Sequence, residues 1–447
     1  MRLDINFVMM TDKLFKKYNL IVGWAVFAVA LLTYSLTVEP TVSFWDCGEY
    51  IATSAKLEVG HPPGAPFFQM MGAFIAAFAP NTDKIALLVN YMSVLSSAFT
   101  VFFLYFIIVN LAKKIALRSA DTLSVAHTIA VMGSGVVGAL AYTFSDSFWF
   151  NAVEAEVYAM AMLFMSVMFW LGIKWTDSLH EPRGDRWLLL ISLVVGLSFG
   201  VHFLVLLAIP AIGMLYFFNS HYKKNVWNFL LANVVSIAVL LLIFKLILPY
   251  TLAYFGYLEV YFVNSFGMPF NSGTIIAGLT LVAFFFFALR YASQKKKVRL
   301  QTATLCLLFV FIGFSSWLMI PIRSNADTVI NENSPTDARL LLAYYNLEQY
   351  PETHLFYGPM YSDKYAGIDE DYPYQDAKPK YERDYTTGRY IIVNQYKNAQ
   401  VASNRKQMGF LPRMWSPQHA ANYMKLTGQL DFKISEEAYQ EPKLYQF

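Results

Sequence analysis

Nine apolar stretches, at 19–38, 85–111, 125–144, 153–174, 187–201, 202–219, 227–250, 273–292 and 299–322, set the possible folds of this chain. A bilayer core of about 30 Å is crossed by roughly 20 apolar residues of helix. The stretches at 187–201 and 202–219 are contiguous and short, so a helical hairpin that barely spans is expected there. A tenth stretch, 65–79, runs for only about 15 residues, a length that suits an interfacial or re-entrant helix rather than a span. Of the 447 residues 56% are hydrophobic and 15% charged, against about 45–50% and about 25% in soluble domains. The expected fold class is an all-α integral membrane bundle of nine spans, with interfacial helices in the first outer loop.

Charge orients that bundle. Cytoplasmic loops carry the excess of Lys and Arg. With Lys13, Lys16 and Lys17 inside, Lys113, Lys114 and Arg118 fall inside, as do Lys174, Arg183 and Arg186, then Lys223 and Lys224, then Lys295, Lys296, Lys297 and Arg299. Counting 65–79 as a span would invert every cluster after it. The division expected is therefore a cytoplasmic N-terminus at 1–18, a bundle at 19–322 with its first outer loop at 39–84, and an extracytoplasmic lobe at 323–447. The run Leu20–Val38 has no small-residue cleavage site after it and reads as a retained anchor.

The lobe is polar and rich in tyrosine. Ser334-Pro335 and Ser416-Pro417 read as helix starts, the second helix ending at Gly428. Residues 388–396 read as a strand, and 358–388, with little aliphatic content, as loop. Aromatic residues make up 17% of the chain, with 29 Tyr and 38 Phe, as interface belts require. A net charge of +3 argues against nucleic acid as a partner. Cys47 and Cys306 provide no disulfide framework. Gly133, Gly135, Gly138, Gly196 and Gly200 read as sites of close helix packing.

The chemistry gathers on the outer side. Asp46 and Glu49 stand at i and i+3, so on a helix over Trp45–Leu57 both share one face. One can act as a base while the other orients a group or holds a cation; the plain alternative is a pair favoured by a helix dipole. His61-Pro62-Pro63-Gly64 reads as a rigid turn that either holds His61 against a site or leaves it in solvent. Trp45 and Tyr50 read as interface anchors. Asp146, Asn151, Glu154 and Glu156 form a second acidic group. On a helix Glu154 and Glu156 diverge by about 200°, and Glu154 shares its face with Asn151 and Tyr158, which favours Glu154. Lys245 and Arg323 are candidate partners for a lipid phosphate, Lys245 with snorkelling as its alternative and Arg323 with bidentate geometry. His202, at the hairpin tip, completes the ionisable groups at this level. No Walker loop, dinucleotide fingerprint, zinc spacing or nucleophile elbow occurs.

Trp45-Asp46-Cys47-Gly48-Glu49-Tyr50, His61-Pro62-Pro63-Gly64, Asn151-Ala152-Val153-Glu154-Ala155-Glu156-Val157-Tyr158 and Ile322-Arg323-Ser324 through Asn333-Ser334-Pro335 resemble a multi-spanning family of Bacteroidetes-type bacteria. That family is similar to protein O-mannosyltransferases and to the C-type glycosyltransferase fold. The resemblance covers residues 15–360 and implies a polyprenyl-phosphate sugar donor and an acceptor outside the cytoplasm, Ser or Thr of an exported protein or a glycan. It makes Asp46 the catalytic base, supported by Glu49 and His61, at the periplasmic face of a bacterial inner membrane. The mannosyltransferase pattern is an adjacent Asp-Glu, whereas Cys47 and Gly48 intervene here. The leaving phosphate is expected on Lys245 or Arg323, with Glu154, Asn151, Tyr158 and His202 contacting substrate. The scheme needs no cofactor and assigns no metal, although Asp146 and Glu156 leave a divalent ion open. Two rival readings are a lipid or polysaccharide flippase, which needs ionisable groups near the midplane, and a non-catalytic assembly protein whose tyrosines at 344–396 bind a partner.

Overall fold

A computed structural model describes residues 11–118, 122–350, 354–360, 369 and 371–427. The chain forms two compact units, Met1–Gly256 with Ile276–Leu347, and Tyr257–Ile275 with Glu348–Phe447. In chain order the helices are α1 (Asp12–Thr37), α2 (Cys47–Lys56), α3 (Pro66–Ala76), α4 (Ile85–Ala116), α5 (Val125–Thr143), α6 (Asp146–Ala152) and α7 (Val157–Asp177). They continue with α8 (Arg186–Ser198), α9 (Ala208–Asn219), α10 (Val226–Leu241), α11 (Leu248–Phe266), α12 (Ser272–Gln294), α13 (Val298–Phe314), α14 (Met319–Ser324), α15 (Ala338–Tyr345) and α16 (Ala420–Thr427).

Among the described residues, seven helical segments are long and apolar enough to cross a membrane: Asp12–Thr37, Thr82–Ala116, Val125–Thr143, Val157–Asp177, Val226–Phe266, Ser272–Gln294 and Val298–Ser324. Of the nine expected spans, the two at 187–201 and 202–219 are instead α8 and the short apolar helix Phe203–Asn219. They are joined by a tip at Phe199–His202, and both pack against α7 rather than chiefly against each other. Segment 65–79 contains α3, 11 residues long, and is too short to cross.

The basic clusters meet at one end of the first unit. Lys113 pairs with Asp12 at 3.5 Å and Lys114 with Asp177 at 2.6 Å. The rings of His180 and His221 lie 4.7 Å apart, and the Thr302 hydroxyl donates to Asp185 at 3.1 Å. These contacts align the start of α1, the ends of α4, α7 and α9, and the starts of α8 and α13. At the opposite end the hairpin tip turns at Gly200, whose carbonyl accepts from Phe67 N at 2.8 Å and Phe68 N at 3.0 Å. Two of the orphan amides at the start of α3 are thereby satisfied inside the protein. Pro66, with its ring-locked φ, opens that helix without needing a donor.

One glycine contact sets the spacing of α8 and α13. A Cβ on Gly196 would lie 2.2 Å from the Val310 carbonyl oxygen, and one on Gly313 2.4 Å from Leu197 N. Lipid is as apolar as the side chains, so close backbone approach supplies the packing that hydrophobic burial supplies in water. Gly135 and Gly138 lie against Tyr105, Val109 and Ile108 of α4 in the same way, whereas nothing comes within 4 Å of a Cβ on Gly133. Gly133 is thus not a packing glycine, whereas a Cβ on Gly200 would lie 2.6 Å from Ser316 Oγ and 2.7 Å from Phe67 Cβ, so close packing is required there as expected.

The segment 251–272, which the apolar stretches at 227–250 and 273–292 leave between them as an outer connection, is mostly helix. Val226–Phe266 is 41 residues long, about 60 Å at 1.5 Å per residue. Pro249 sits in the first turn of α11, directly after a π-helical turn at Leu242–Ile247. Widening the turn there accommodates a residue that cannot donate to the ladder, so the helix continues where the sequence suggests a stop.

In the second unit, three antiparallel strand pairs form: β1 (Tyr357–Pro359) with β6 (Met408–Phe410), β2 (Tyr374–Gln375) with β5 (Gln400–Val401), and β3 (Tyr381–Asp384) with β4 (Arg389–Ile392). The expected strand at 388–396 is β4. The stretch 358–388, read as loop, carries β2, β3 and most of β1, too short to show a pattern. Buried Glu259 accepts from Asn271 N, Thr274 N and the Tyr390 hydroxyl, capping the start of α12. Asn264 and Tyr390 exchange two hydrogen bonds of 2.8 Å. The lobe expected at 323–447 therefore divides: 323–347 belong to the first unit, and 257–275 join the second. Asp337, not Ser334, caps α15. After Ser416-Pro417, α16 runs to Thr427, and Gly428 lies outside the described residues.

Replacing Gly196 with Ala should lower the melting temperature of the detergent-solubilised chain. Gly133→Ala should leave it unchanged or raise it, helix propensity adding up to about 1 kcal/mol of stability. Equal losses at both positions would remove the close-contact explanation.

Candidate functional site

The site starts at α2. Asp46 is its N-cap residue, yet its side chain makes no capping bond and is 58% exposed. One turn later, Glu49 points back across the loop that follows the helix. Leu57 ends α2 in the left-handed region, φ 52°. Val59 then pairs with the segment after α14, donating to Ile330 O at 3.0 Å and accepting from Glu332 N at 3.1 Å. The Gly60 carbonyl accepts from the Tyr344 hydroxyl at 2.5 Å. A Cβ on Gly60 would stand 2.4 Å from Glu49 Oε1, so only glycine lets the carboxylate close over this turn.

Glu49 then grips His61 twice. Its Oε1 accepts from the His61 backbone N–H at 2.6 Å, and its Oε2 lies 2.9 Å from Nδ1. The far ring nitrogen, Nε2, faces Asp46 Oδ2 at 3.8 Å. Burial alone would raise the Glu49 carboxyl, but the hydrogen bonds and charge of His61 outweigh it and hold it below the ordinary 4.5. The same hydrogen bond raises His61 above 6.5 against the opposing effect of burial. Glu49's contribution to stability is present above 4.5 and lost as pH falls through its lowered value. That of His61 is present below 6.5 and lost as pH rises through its raised value.

A second set of acids comes from the bend between α6 and α7. Residues Glu154–Glu156 are not helical; Glu156 N donates to Glu154 O at 2.8 Å. The divergence expected on a helix therefore does not apply, and both carboxylates are inside the protein, at 2% and 5% exposure. Glu154 Oε2 accepts from the Ser43 hydroxyl, while burial raises its carboxyl. Glu156 is raised further, to about 7, by burial and then by the charges of Asp46 and Glu154, against a weaker pull from the Asp46 and Val157 backbone N–H groups. Each keeps a buried Oε1 with no hydrogen-bond partner among the described residues.

Tyr50 joins these two sets. Read from sequence as an interface anchor, it is buried, its ring 5.8 Å from His61 and 5.3 Å from Phe68. Burial, then the charges of Glu156, Asp46 and Glu49, raise its hydroxyl. Trp45 is 84% exposed, as an interface anchor is. The Tyr158 ring lies 5.1 Å from His202. His202 Nδ1 accepts from Leu204 N at 3.1 Å, and burial lowers its pKa, so the ring is neutral.

Of the residues singled out in the sequence, Asp46, Glu49 and His61 meet, and Tyr158 and His202 meet beside them. Asn151 donates to Ser147 O in its own helix and lines a cavity of about 350 Å³ with Tyr142, Ser145, Phe148, Tyr158 and Met162. Lys245 is exposed, its ammonium 4.8 Å from the Phe244 ring centre, and makes no recorded contact with the acids. Arg323 is committed elsewhere: Nε donates to Leu57 O at 2.6 Å and Nη2 to Lys56 O at 3.2 Å, bonding the carbonyls at the end of α2. These contacts use two of the five guanidinium N–H groups of Arg323 and none of the donors of the Lys245 ammonium. Glu156, which the sequence reasoning ranked below Glu154, is buried alongside it, because it precedes the first turn of α7 instead of lying inside a helix. A larger apolar cavity of about 460 Å³, lined by Trp175, Ile191, Ile212, Tyr216, Val235 and Val310 among others, contains none of these residues.

These features define a multi-pass helical membrane protein whose acids and one histidine converge at the end opposite its basic clusters. Residues 46–226 match the family model described as the protein O-mannosyl-transferase TMEM260 N-terminal domain, and residues 351–446 match a family of unknown function (DUF8416). Over 237 residues the chain is 27% identical to the protein O-mannosyl-transferase tmem260 of Dictyostelium discoideum, covering 50% of this chain and 26% of that protein. Over 174 residues it is 24% identical to protein O-mannosyl-transferase TMEM260 of Mus musculus, covering 39% and 22%. The alignments thus span about a quarter of the length of these curated relatives. No solved structure matches the chain. The chain is related to protein O-mannosyl-transferases.

Two substitutions probe the electrostatics. Glu156→Gln removes a buried charge whose ionisation opposes folding as pH rises from about 4.5 to 7. It should raise the melting temperature by several degrees at pH 8, with the gain shrinking toward pH 5; a gain independent of pH would rule out this account. Gly60→Ala should displace Glu49 and return the His61 titration, followed by NMR, toward 6.5.

Proposed function

We propose that the bundle is the catalytic part of a glycosyltransferase. It moves a sugar, mannose-like by analogy with the matched relatives, from a polyprenyl-phosphate donor to a Ser or Thr hydroxyl of an exported protein. The supporting observation is that the match at 46–226 contains the whole cluster: Asp46, Glu49, Tyr50, His61, Glu154, Glu156, Tyr158 and His202. By the positive-inside rule the cluster faces away from the cytoplasm, at the periplasmic face if the membrane is a bacterial inner one.

Asp46 is the base. It is the most accessible acid of the cluster with a defined neighbour, and its oxygens are not used to cap α2. It takes the proton of the acceptor hydroxyl as the oxygen attacks the anomeric carbon. The lipid phosphate leaves from the opposite face, through an oxocarbenium-like transition state. A single displacement inverts the sugar. Glu49 acts through His61, fixing its ring so that Nε2 faces Asp46. Tyr158 and His202 stand where a sugar ring can be contacted. Arg323, bonded to carbonyls, and Lys245, exposed beside Phe244, are not assigned the phosphate. A flippase reading fits less well, because the acids occupy loops and helix starts at one end rather than broken helices at mid-depth.

Asp46→Asn should reduce transfer from purified lipid-linked sugar to an acceptor peptide by about 10²–10⁴-fold, the usual range for a lost general base, with an unchanged gel-filtration profile. Full activity in that variant would dismiss Asp46 as the base.

A further inference from the structure

We propose that the apolar cavity at the basic end of the first unit holds one acyl chain of an anionic glycerophospholipid from the cytoplasmic leaflet, with Lys223 at its headgroup. The cavity, of about 460 Å³, lies between α7, α8, α9, α10 and α13, and all of its lining residues belong to that unit. The proposal is independent of the transferase reading, whose acids gather at the opposite end.

The outer wall is α10, which is held chiefly by one neighbour. Ser236 is the one residue of α10 that is buried, and a Cβ on Gly213 of α9 would stand 2.1 Å from its Oγ. The two helices meet closely there. Toward α8 a gap remains, lined by Ile191 and Val195 on one side and by Val235 and Val239 on the other. From Asn228 to Ile243 the lining follows α10 and its π turn, about 22 Å at 1.5 Å per residue, against roughly 15 Å for half of a bilayer core. A chain entering from the basic end therefore meets apolar walls through the whole of its own leaflet. Left empty, those walls would forfeit their dispersion contacts.

The rim provides for a polar head. Trp175 and Tyr216, in the last turns of α7 and α9, line the cavity with their rings stacked at 5.0 Å. The buried Trp175 Nε1 has no hydrogen-bond partner among the described residues, and a phosphate or ester oxygen is the acceptor it lacks. Asn228 also lines the cavity, and its side chain donates to the Lys223 carbonyl at 2.8 Å, which holds Lys223 at the rim. Lys224 is used by the fold: its ammonium donates to the carbonyls of Phe217, Ser220 and Tyr222 at 2.6, 2.6 and 2.8 Å. The exposed Lys223 side chain has no such partner among the described contacts.

The sign of the head follows from the charges around it. No acidic residue occurs between Arg186 and Leu258. Along Lys174–Arg186 the cations Lys174, Arg183 and Arg186 are matched by Asp177, Glu181 and Asp185, so Lys223 and Lys224 leave the rim positive. By the positive-inside rule this rim lies at the cytoplasmic surface, where anionic lipid headgroups attract basic residues. A polyprenyl-phosphate donor serving the acids would carry its phosphate at the other face, so its head and this rim do not meet.

The test uses the full chain in neutral detergent, titrated with dioleoyl phosphatidylglycerol or dioleoyl phosphatidylcholine, bound lipid being counted by native mass spectrometry. One phosphatidylglycerol per chain should bind saturably, about five-fold more tightly than phosphatidylcholine, the effect of one lysine near an anionic head. Lys223→Gln should bring the two lipids level, while Lys295→Gln, on another loop at the same end, should keep the preference. Ala232→Trp, which fills the cavity from α10, should abolish retention of both. Lys223 holds nothing in the fold through its side chain, so its variant reads the site even where Ala232→Trp misfolds. Equal retention of the two lipids by the parent, a preference that survives Lys223→Gln, lipid retained by a folded Ala232→Trp chain, or capture of a polyprenyl phosphate ahead of phosphatidylglycerol overturns the proposal.

Discussion

The guanidinium of Arg323 on the carbonyls of Lys56 and Leu57 ties an early segment of the first unit to a late one. The last turn of any helix leaves carbonyls without partners, and α2 is too short to be stabilised by its own ladder. A cation at the negative end of its dipole answers both problems. The same segment adds the Val59–Asn331 bridge and the Tyr344 hydroxyl on Gly60. The first outer loop thus owes its shape to residues some 270 positions later.

Once that loop is fixed, its acids are forced together. Glu49 is stabilised by His61, but the hydrogen bonds offered to the buried Glu154 and Glu156 come from the Ser43 hydroxyl and from the backbone N–H groups of Asp46 and Val157. Burial raises both, and charge repulsion adds to it, from Glu39 on Glu154 and from Asp46 and Glu154 on Glu156. Protonation of Glu156 lowers the cost of folding, because it removes a buried charge that Asp46 and Glu154 repel.

Much of this was legible from residue patterns. Long apolar runs and basic clusters located the bundle and its two ends, because lipid imposes one length and one charge rule on every span. Asp46, Glu49 and His61 were legible because their spacing is local. The fate of Arg323 was not, since nothing near it in the sequence announces that its partners are two carbonyls in another loop. The α6–α7 bend was misjudged for a related reason. Periodicity argues only inside a helix, and Glu154-Ala155-Glu156 carries no proline or glycine to mark the break. The extension of α11 beyond Tyr250 was hidden by Pro249, which normally ends a helix but follows a π turn here.

The elements that do not cross fully explain why polar chemistry can exist at this end at all. Irregular backbone cannot face hydrocarbon; it persists at membrane depth only where protein satisfies it. The turn from Gly60 to Ala65 and the tip from Gly200 to His202 are both irregular, and they are coupled through α3, which starts after the first and is capped by the second. Each supplies what the other lacks: the hairpin tip gives carbonyl acceptors, and the start of α3 gives donors. Their meeting creates a protein-lined region beside the helices that shield it from lipid, and it is there that Tyr158 and His202 stand next to the acids. A bundle of nine full spans would have had no such interruption and no place to hold four carboxylates so near a bilayer.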